Sequence, residues 1–369
     1  MTARTRSGPL LAAAVGLALA GCSTGDQPAQ TEQTQGPTTR GAAGPSVDQS
    51  ETMFTNPVAD VGNDPYVVEH EGSYYLVESR SGGAVWVTRS APGNLTDIFW
   101  SGTAVKVWEP PLEGPACRDV WAPELHLIDD RWFIYFAATT CDGDNVNHRM
   151  FALESEGPDP QGSYVERGQV TDETDRWAID GTTFVEDDQR YFLWSGWEGD
   201  TDGQQNLYIA PMSDPVTISG PRVLLAEPTH EWEMRAMPVL EGPQVLRGED
   251  RTVVVYSASG SWTDDYGYGL LSLGGDDVLD PASWTRSSEP AFAKTDKVFG
   301  PGHGSFVRSP DGTEDWMVYH AARFSGAGWD RVIHAQPFSW TQDGLPDLGT
   351  PVPAGVEIAV PSGQLPPAG

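Results

Sequence analysis

Five polar residues recur along this chain at intervals of about 60 residues: Asp64, Glu124, Asp180, Glu241 and His303. With 53 acidic side chains in 369 residues, carboxylates picked freely would mean little; these are picked by their position in a repeat. Carboxyl groups gathered at one point in unlike surroundings hold unlike protonation states, so one can give a proton while another takes one. That chemistry requires a fold that brings residues so distant in sequence to a common axis.

The elements that would position them are strands. Five aromatic and β-branched runs, anchored on Tyr75, Tyr135, Trp194, Tyr256 and Tyr319, also return about every 60 residues. Before each lies an apolar segment that opens at one of the five polar residues and turns through charged residues or Asp-Gly into the aromatic run, which is the pattern of a hairpin. Short-stranded units of this kind cannot bury their faces alone. Five of them arranged radially predict an all-β fold, a five-bladed β-propeller, in which the starts of the five innermost strands surround a central channel. A β-sandwich with accidental spacing is the alternative; no long helical periodicity competes.

The termini and composition set the setting. Arg4 and Arg6 precede an apolar stretch, Leu10–Ala20, too short to span a bilayer, and Leu19-Ala20-Gly21-Cys22 follows. This resembles the lipobox of bacterial lipoproteins, which implies a signal peptide over residues 1–21 and a lipid on Cys22; a plain signal peptide ending by chance in Cys is the alternative. Residues 22–50, rich in Ser, Thr, Gln, Gly and Pro, read as a tether, and 51–369 as the propeller. The expected location is the outer face of a bacterial cell membrane, with membrane contact only through the anchor. In such an oxidising compartment Cys117 and Cys141 are expected to pair, two separately buried thiols being the alternative. The formal net charge of -31 disfavours nucleic acid and anionic surfaces and favours neutral partners.

The motifs Asn63-Asp64-Pro65-Tyr66, Val120-Trp121-Ala122-Pro123-Glu124-Leu125, Trp177-Ala178-Ile179-Asp180-Gly181, Glu241-Gly242-Pro243 and Gly300-Pro301-Gly302-His303-Gly304-Ser305 occur in the order and spacing of glycoside hydrolase family 43. The resemblance covers residues 54 to about 355, and Trp194-Ser195-Gly196-Trp197, Tyr256-Ser257-Ala258-Ser259-Gly260 and Tyr319-His320-Ala321 look most like the family's α-L-arabinofuranosidases. It implies Asp64 as general base, Glu241 as general acid and Asp180 as the carboxylate that orients the acid and tunes its pKa, in an inverting hydrolysis. It also implies Trp121 and Trp177 as aromatic walls for a sugar, each with core packing as the alternative. Arg331 is the expected sugar- or carboxylate-positioning arginine, with Arg323 competing. His303 resembles a residue that helps to hold a central Ca²⁺; a satisfied structural histidine is the other reading, and no cofactor is required for the chemistry. His148 and His230 stay unassigned.

The implied substrate is a neutral plant-type polysaccharide or oligosaccharide containing arabinose or xylose. β-Xylosidase or endo-arabinanase activity on the same fold is the near alternative, and a non-catalytic sugar-binding surface lipoprotein the distant one. Asn63-Asp64-Pro65 is also similar to the nucleophile motif of fructan-cleaving propellers. There, however, Asn-Gly follows where this chain has Tyr66-Val67, and the acid lies beside a Cys rather than before Gly242-Pro243.

Overall fold

The aromatic runs are apolar at nearly every position because both of their faces are buried. In the strand Arg131–Thr139, Phe133, Tyr135 and Ala137 pack toward one neighbouring sheet, whereas Trp132, Ile134, Phe136 and Ala138 pack toward the other. The two-residue period of a strand demands that division. In the computed structural model, which describes residues 53–365, the chain forms five antiparallel blade sheets, four of them four-stranded meanders and the third a five-stranded sheet in which Thr217–Ile218 and Val223–Ala226 both pair with Asn206–Asp214, besides one two-stranded pair. The signal segment, Cys22 and the tether expected over 22–50 lie outside the described residues.

The innermost strands are Tyr66–His70, Arg118–Ile128, Ala178–Glu186, Leu240–Arg247 and Phe299–Arg308. The aromatic runs are the second strands, Ser73–Ser79, Arg131–Thr139, Gln189–Gly196, Thr252–Ala258 and Asp315–Ala322. Each of the five gaps between blades holds its own apolar cluster: one against two, two against three, three against four, four against five and five against one. The core is thus a ring of wedges, and the axis is left to polar side chains. The ring closes where Met53–Thr55 pairs with Glu357–Ala359, and where the Val67 amide of blade one donates to Ser305 Oγ of blade five at 2.8 Å.

Near its start, each of the five blades carries a residue in the left-handed region: Asp64 (φ 47°), Ala122 (41°), Asp180 (54°), Gly242 (54°) and His303 (38°), with a second in blades two and five, Asp119 (47°) and Gly300 (53°). In blades two to five the strand pairing skips residues at this point, a β-bulge. Such a conformation costs an L-residue on the order of 1–3 kcal/mol and re-aims the side chain, a device found beside active sites. Gly242 has no alternative there, since a Cβ would sit 2.9 Å from the His303 ring. Gly304 lets the backbone close in, for a Cβ would fall 1.9 Å from the Val318 carbonyl oxygen.

The bulges correct the sequence-derived ring at two positions. Blade two places Ala122, not Glu124, at the bulge; Glu124 lies two residues along and is hydrogen-bonded to His126 Nε2 at 2.8 Å and to the Gln244 amide. In blade four the left-handed residue is Gly242, so Glu241 stands one residue earlier, paired opposite Ser257. Counting a constant offset from the aromatic anchor cannot register an inserted bulge residue. Cys117 and Cys141 form a disulfide, Cα atoms 4.9 Å apart, that ties the start of the blade-two inner strand to the end of its second strand. Closing a loop of about 25 residues contributes on the order of 3 kcal/mol in the chain-entropy model.

Candidate active site

The channel mouth opens into a cavity of 1080 Å³ lined by Asp64, Asp180, Glu241, Trp121, Trp177, His303 and Arg331 together with loop residues of all five blades. The expected carboxyls Asp64, Asp180 and Glu241 thus meet the two tryptophans, His303 and Arg331 at one place, and Glu124 does not join them. Nor does Arg323: it pairs with Asp330 at 2.9 Å on the surface.

Asp64 is held by three cationic or donor groups. His303 Nδ1 lies 3.3 Å, His320 Nδ1 3.0 Å and Arg331 Nη1 3.3 Å from its Oδ1. Burial alone would raise its pKa, but His303, the hydrogen bond from His320 and the Arg331 guanidinium together hold Asp64 well below the usual carboxylate range. Arg331 is itself fixed by the Ser261 carbonyl at 2.7 Å and by Asn63 Oδ1 at 3.4 Å. His320 is fully buried, and burial with the Arg331 charge pushes its pKa down to about 3, so its ring is neutral. Its Nε2 has no hydrogen-bond partner among the described residues. The Asp64 amide N–H also points at Nδ1, at 3.3 Å, so this one atom faces both a donor and an acceptor of Asp64, and the ring's tautomer sets which of the two contacts is made.

Asp180 and Glu241 are driven the other way. Burial, reinforced by the Glu241 and Asp64 charges, raises Asp180 against the pull of His303. Burial and Asp64 raise Glu241 against His303, Tyr266 and Arg331. Two crowded carboxyls of this kind share a proton, and their hydrogen bonds decide where it sits. The Gly242 amide, 3.0 Å from Asp180 Oδ2, can only donate and so keeps charge on Asp180. Tyr266 donates its hydroxyl to Glu241 Oε1 at 2.8 Å, but a hydroxyl also accepts, so this contact survives when Glu241 carries the proton. Both carboxyls are raised, and these hydrogen bonds favour Glu241 as the one that carries the proton. Burial opposes charge on His303, yet the Asp64, Asp180 and Glu241 carboxyls outweigh it and raise its pKa.

Ligand atoms of Asp180, Glu241 and His303 lie within 4.8 Å of one another. Calcium takes six to eight oxygens, whereas this cluster offers two carboxyls and an imidazole, and a cation there would strip the proton from Glu241. His303 Nδ1 is already turned to Asp64 and, at 3.8 Å, to Asp180. These residues are too few for an all-protein calcium cage, so a Ca²⁺ held here would need water to complete its ligands; the three carboxyls favour the charged form of His303.

The two expected aromatic walls differ. Trp177 is buried, stacked on Trp197 at 4.6 Å and tied through Nε1 to the Asn145 carbonyl at 2.8 Å; it meets both readings, core on one face and cavity wall on the other. Trp121 is 39% exposed and lies over His148 at 3.8 Å, which gives His148 a supporting place. His230 caps the short turn Glu231–Glu233, away from the cavity lining. Sequence reasoning missed His320 and Tyr266 as partners of the carboxyls and the cavity-lining Trp262 and Trp329. His320 sits inside a fully apolar strand, where a buried polar residue is the one signal that could have flagged it.

A five-bladed propeller that gathers three carboxyls of unlike charge beneath a cavity has the build of a glycosidase. The model of glycosyl hydrolases family 43 matches residues 54–346, and the chain belongs to that family. An extracellular exo-alpha-(1->5)-L-arabinofuranosidase of Streptomyces avermitilis is 36% identical over 328 residues, covering 85% of this chain and 66% of the relative. Alpha-L-arabinofuranosidase 43 of Humicola insolens is 35% identical over 304 residues, covering 79% of this chain and 62% of the relative. The chain thus spans just under two thirds of the length of these two relatives. The crystal structure of an alpha-L-arabinofuranosidase from Lactobacillus brevis aligns with a TM-score of 0.75 at 34% identity, covering 82% of this chain and 98% of that one.

Proposed function

We propose that this protein is an exported, lipid-anchored, exo-acting α-L-arabinofuranosidase that hydrolyses arabinan- or arabinoxylan-type chains with inversion. The observation that carries the reading is the division of surroundings at the channel mouth: Asp64 Oδ1 faces His303, His320 and Arg331 at 3.0–3.3 Å, while Glu241 is buried close to Asp180, where burial and the Asp64 charge raise its pKa. A sugar-binding protein has no use for that division, and glycoside hydrolysis needs it. Glu241 gives its proton to the leaving oxygen as the glycosidic C–O bond breaks; Asp64 takes a proton from the water that attacks the anomeric carbon on the opposite face. Asp180 orients Glu241 and sustains its pKa, and His303, His320 and Arg331 keep Asp64 charged and aimed. A cavity rimmed by all five blades, through Arg80, Asn145, Asp202, Trp262 and Trp329, favours a chain end over a chain interior. The extracellular arabinofuranosidases among its relatives support export, and Cys22 supports the anchor.

Chromogenic arabinofuranosides and xylosides assayed side by side test the substrate. Inversion requires room for a water between acid and base, with carboxyls about 6.5–9.5 Å apart, and blades one and four are not neighbours in a ring of five. Proton NMR of the reaction should show β-arabinose formed first from an α-arabinofuranoside; first release of the α anomer overturns the mechanism and the role of Asp64.

A further inference from the structure

Three of the four exposed tryptophans among the described residues, Trp121, Trp262 and Trp329, line one cavity. Exposed tryptophans concentrated at a single concave site mark a binding surface, since a tryptophan left in water gains nothing for the fold. Trp121 stands on blade two. Trp262 and Trp329 stand on the loops of blades four and five, 39% and 64% exposed, their rings 5.8 Å apart and edge to face.

These two loops are held rigidly. Asp264 accepts hydrogen bonds from Ser325 Oγ at 2.6 Å and the Gly326 amide at 2.8 Å, so the blade-five loop is lashed to the blade-four loop. The Trp262 ring folds back over Gly260, where even a Cβ would come within 3.0 Å of it. Trp329 Nε1 donates to Ser261 Oγ at 3.3 Å, and the carbonyl of the same Ser261 anchors Arg331. The platform is thus preorganised and ends, four residues after Trp262, at Tyr266, the hydroxyl partner of Glu241. The leaving oxygen must lie against Glu241, so the part of the substrate attached to it emerges on this side of the cavity.

We propose that Trp262 and Trp329 form the leaving-group subsite, the platform on which the first sugar beyond the scissile bond stacks its C–H face. The proposal rests on the hydrolytic reading of the site and adds to it which wall holds the departing part of the substrate. Turnover of an arabinofuranosyl trisaccharide compared with that of α-L-arabinofuranosyl fluoride tests it, because fluoride leaves without a sugar to stack. Trp262→Ala and Trp329→Ala should each lower kcat/KM on the trisaccharide about five- to tenfold and leave the fluoride rate within about twofold, and Trp329→Phe should recover most of the loss. Trp329→Leu, which keeps apolar bulk without a flat face, must show the same split, and guards against a loop disturbed by alanine. Parallel losses on both substrates, or no loss on either, overturn the proposal. If wild-type protein cleaves neither arabinosides nor xylosides, the proposed function itself falls; if it prefers xylosides, xylotriose and β-xylosyl fluoride replace the pair.

Discussion

Two buried carboxyl clusters lie along the same channel, and only one is placed to react. At the mouth, Asp64, Asp180 and Glu241 crowd around His303 beneath an open cavity. Further along the inner strands Glu124 is just as buried, yet it is alone: Gln244 and His126 meet its two oxygens, and Tyr66 closes the group with its hydroxyl 3.4 Å from His126 Nε2. Burial and a histidine neighbour are common to both. What separates them is that the mouth holds three carboxyls with too few donors, each at or beside a left-handed residue and facing space, whereas the deeper carboxylate has both oxygens hydrogen-bonded. Crowded carboxyls that face a cavity, not burial alone, mark the site.

The largest expected effect exploits that difference. Asp64→Asn and Glu241→Gln each remove a proton-transfer group and should lower kcat roughly 10²–10⁴-fold, with Glu241→Gln partly rescued by a substrate whose leaving group needs no proton. Glu124→Gln removes a carboxylate equally buried and should keep kcat within about tenfold of wild type, a limit set below the loss expected of a proton-transfer group. Its cost should appear in thermal unfolding instead, because Gln244 and His126 lose a charged acceptor. Steady-state kinetics and melting curves on the three variants decide it; a Glu124→Gln variant as inactive as the other two would erase the distinction.

Much of this was legible beforehand, for definite reasons. The repeat declared itself because each second strand must be apolar on both faces, which leaves an unbroken aromatic run such as Trp132-Phe133-Ile134-Tyr135-Phe136. Asp64, Asp180 and His303 fell at the same blade position because the left-handed bulge tolerates Asp and, between glycines, His. Glu124 was placed wrongly because a bulge changes which residue faces the axis without changing composition. Tyr266 and His320 were invisible as partners, since their roles arise from rings stacked 5.5 Å apart between blades four and five, and sequence spacing carries no trace of that contact. Trp262 and Trp329 lie on loops, whose paths follow from tertiary ties such as Asp264 to Gly326 rather than from local pattern.

A second test acts on the pH profile. Asp64 is held well below the ordinary carboxylate range, so the base stays ionised and the acidic limb of kcat/KM should fall below about pH 4. The alkaline limb reports loss of the proton on Glu241. The Glu241 charge raises Asp180, and repulsion between two charges acts on both, so Asp180→Asn should remove a negative neighbour, make ionised Glu241 easier to form and move the alkaline limb to lower pH. An alkaline limb that stays in place or rises would mean that Asp180 does not sustain the acid.

The smallest effect is also the sharpest comparison, because one chemical change is made in both clusters. Tyr266→Phe and Tyr66→Phe each delete a single buried hydroxyl. At the mouth, the Tyr266 hydroxyl lowers the pKa of Glu241 by donating to its charged form; without it Glu241 keeps its proton to higher pH, and the alkaline limb should move up, opposite to the shift in Asp180→Asn. In the deeper cluster, Tyr66 is protonated at every working pH, since burial and the Glu124 charge push its pKa well above the ordinary tyrosine value. Its bond to His126 is long, so Tyr66→Phe should cost about 1 kcal/mol of stability or less and leave both limbs where they were. Opposite displacements of the alkaline limb in Tyr266→Phe and Asp180→Asn, with Tyr66→Phe silent between them, would fix the titrating proton on Glu241. A shift in Tyr66→Phe equal to that in Tyr266→Phe would show that the two clusters titrate as one network and that the division between them is wrong.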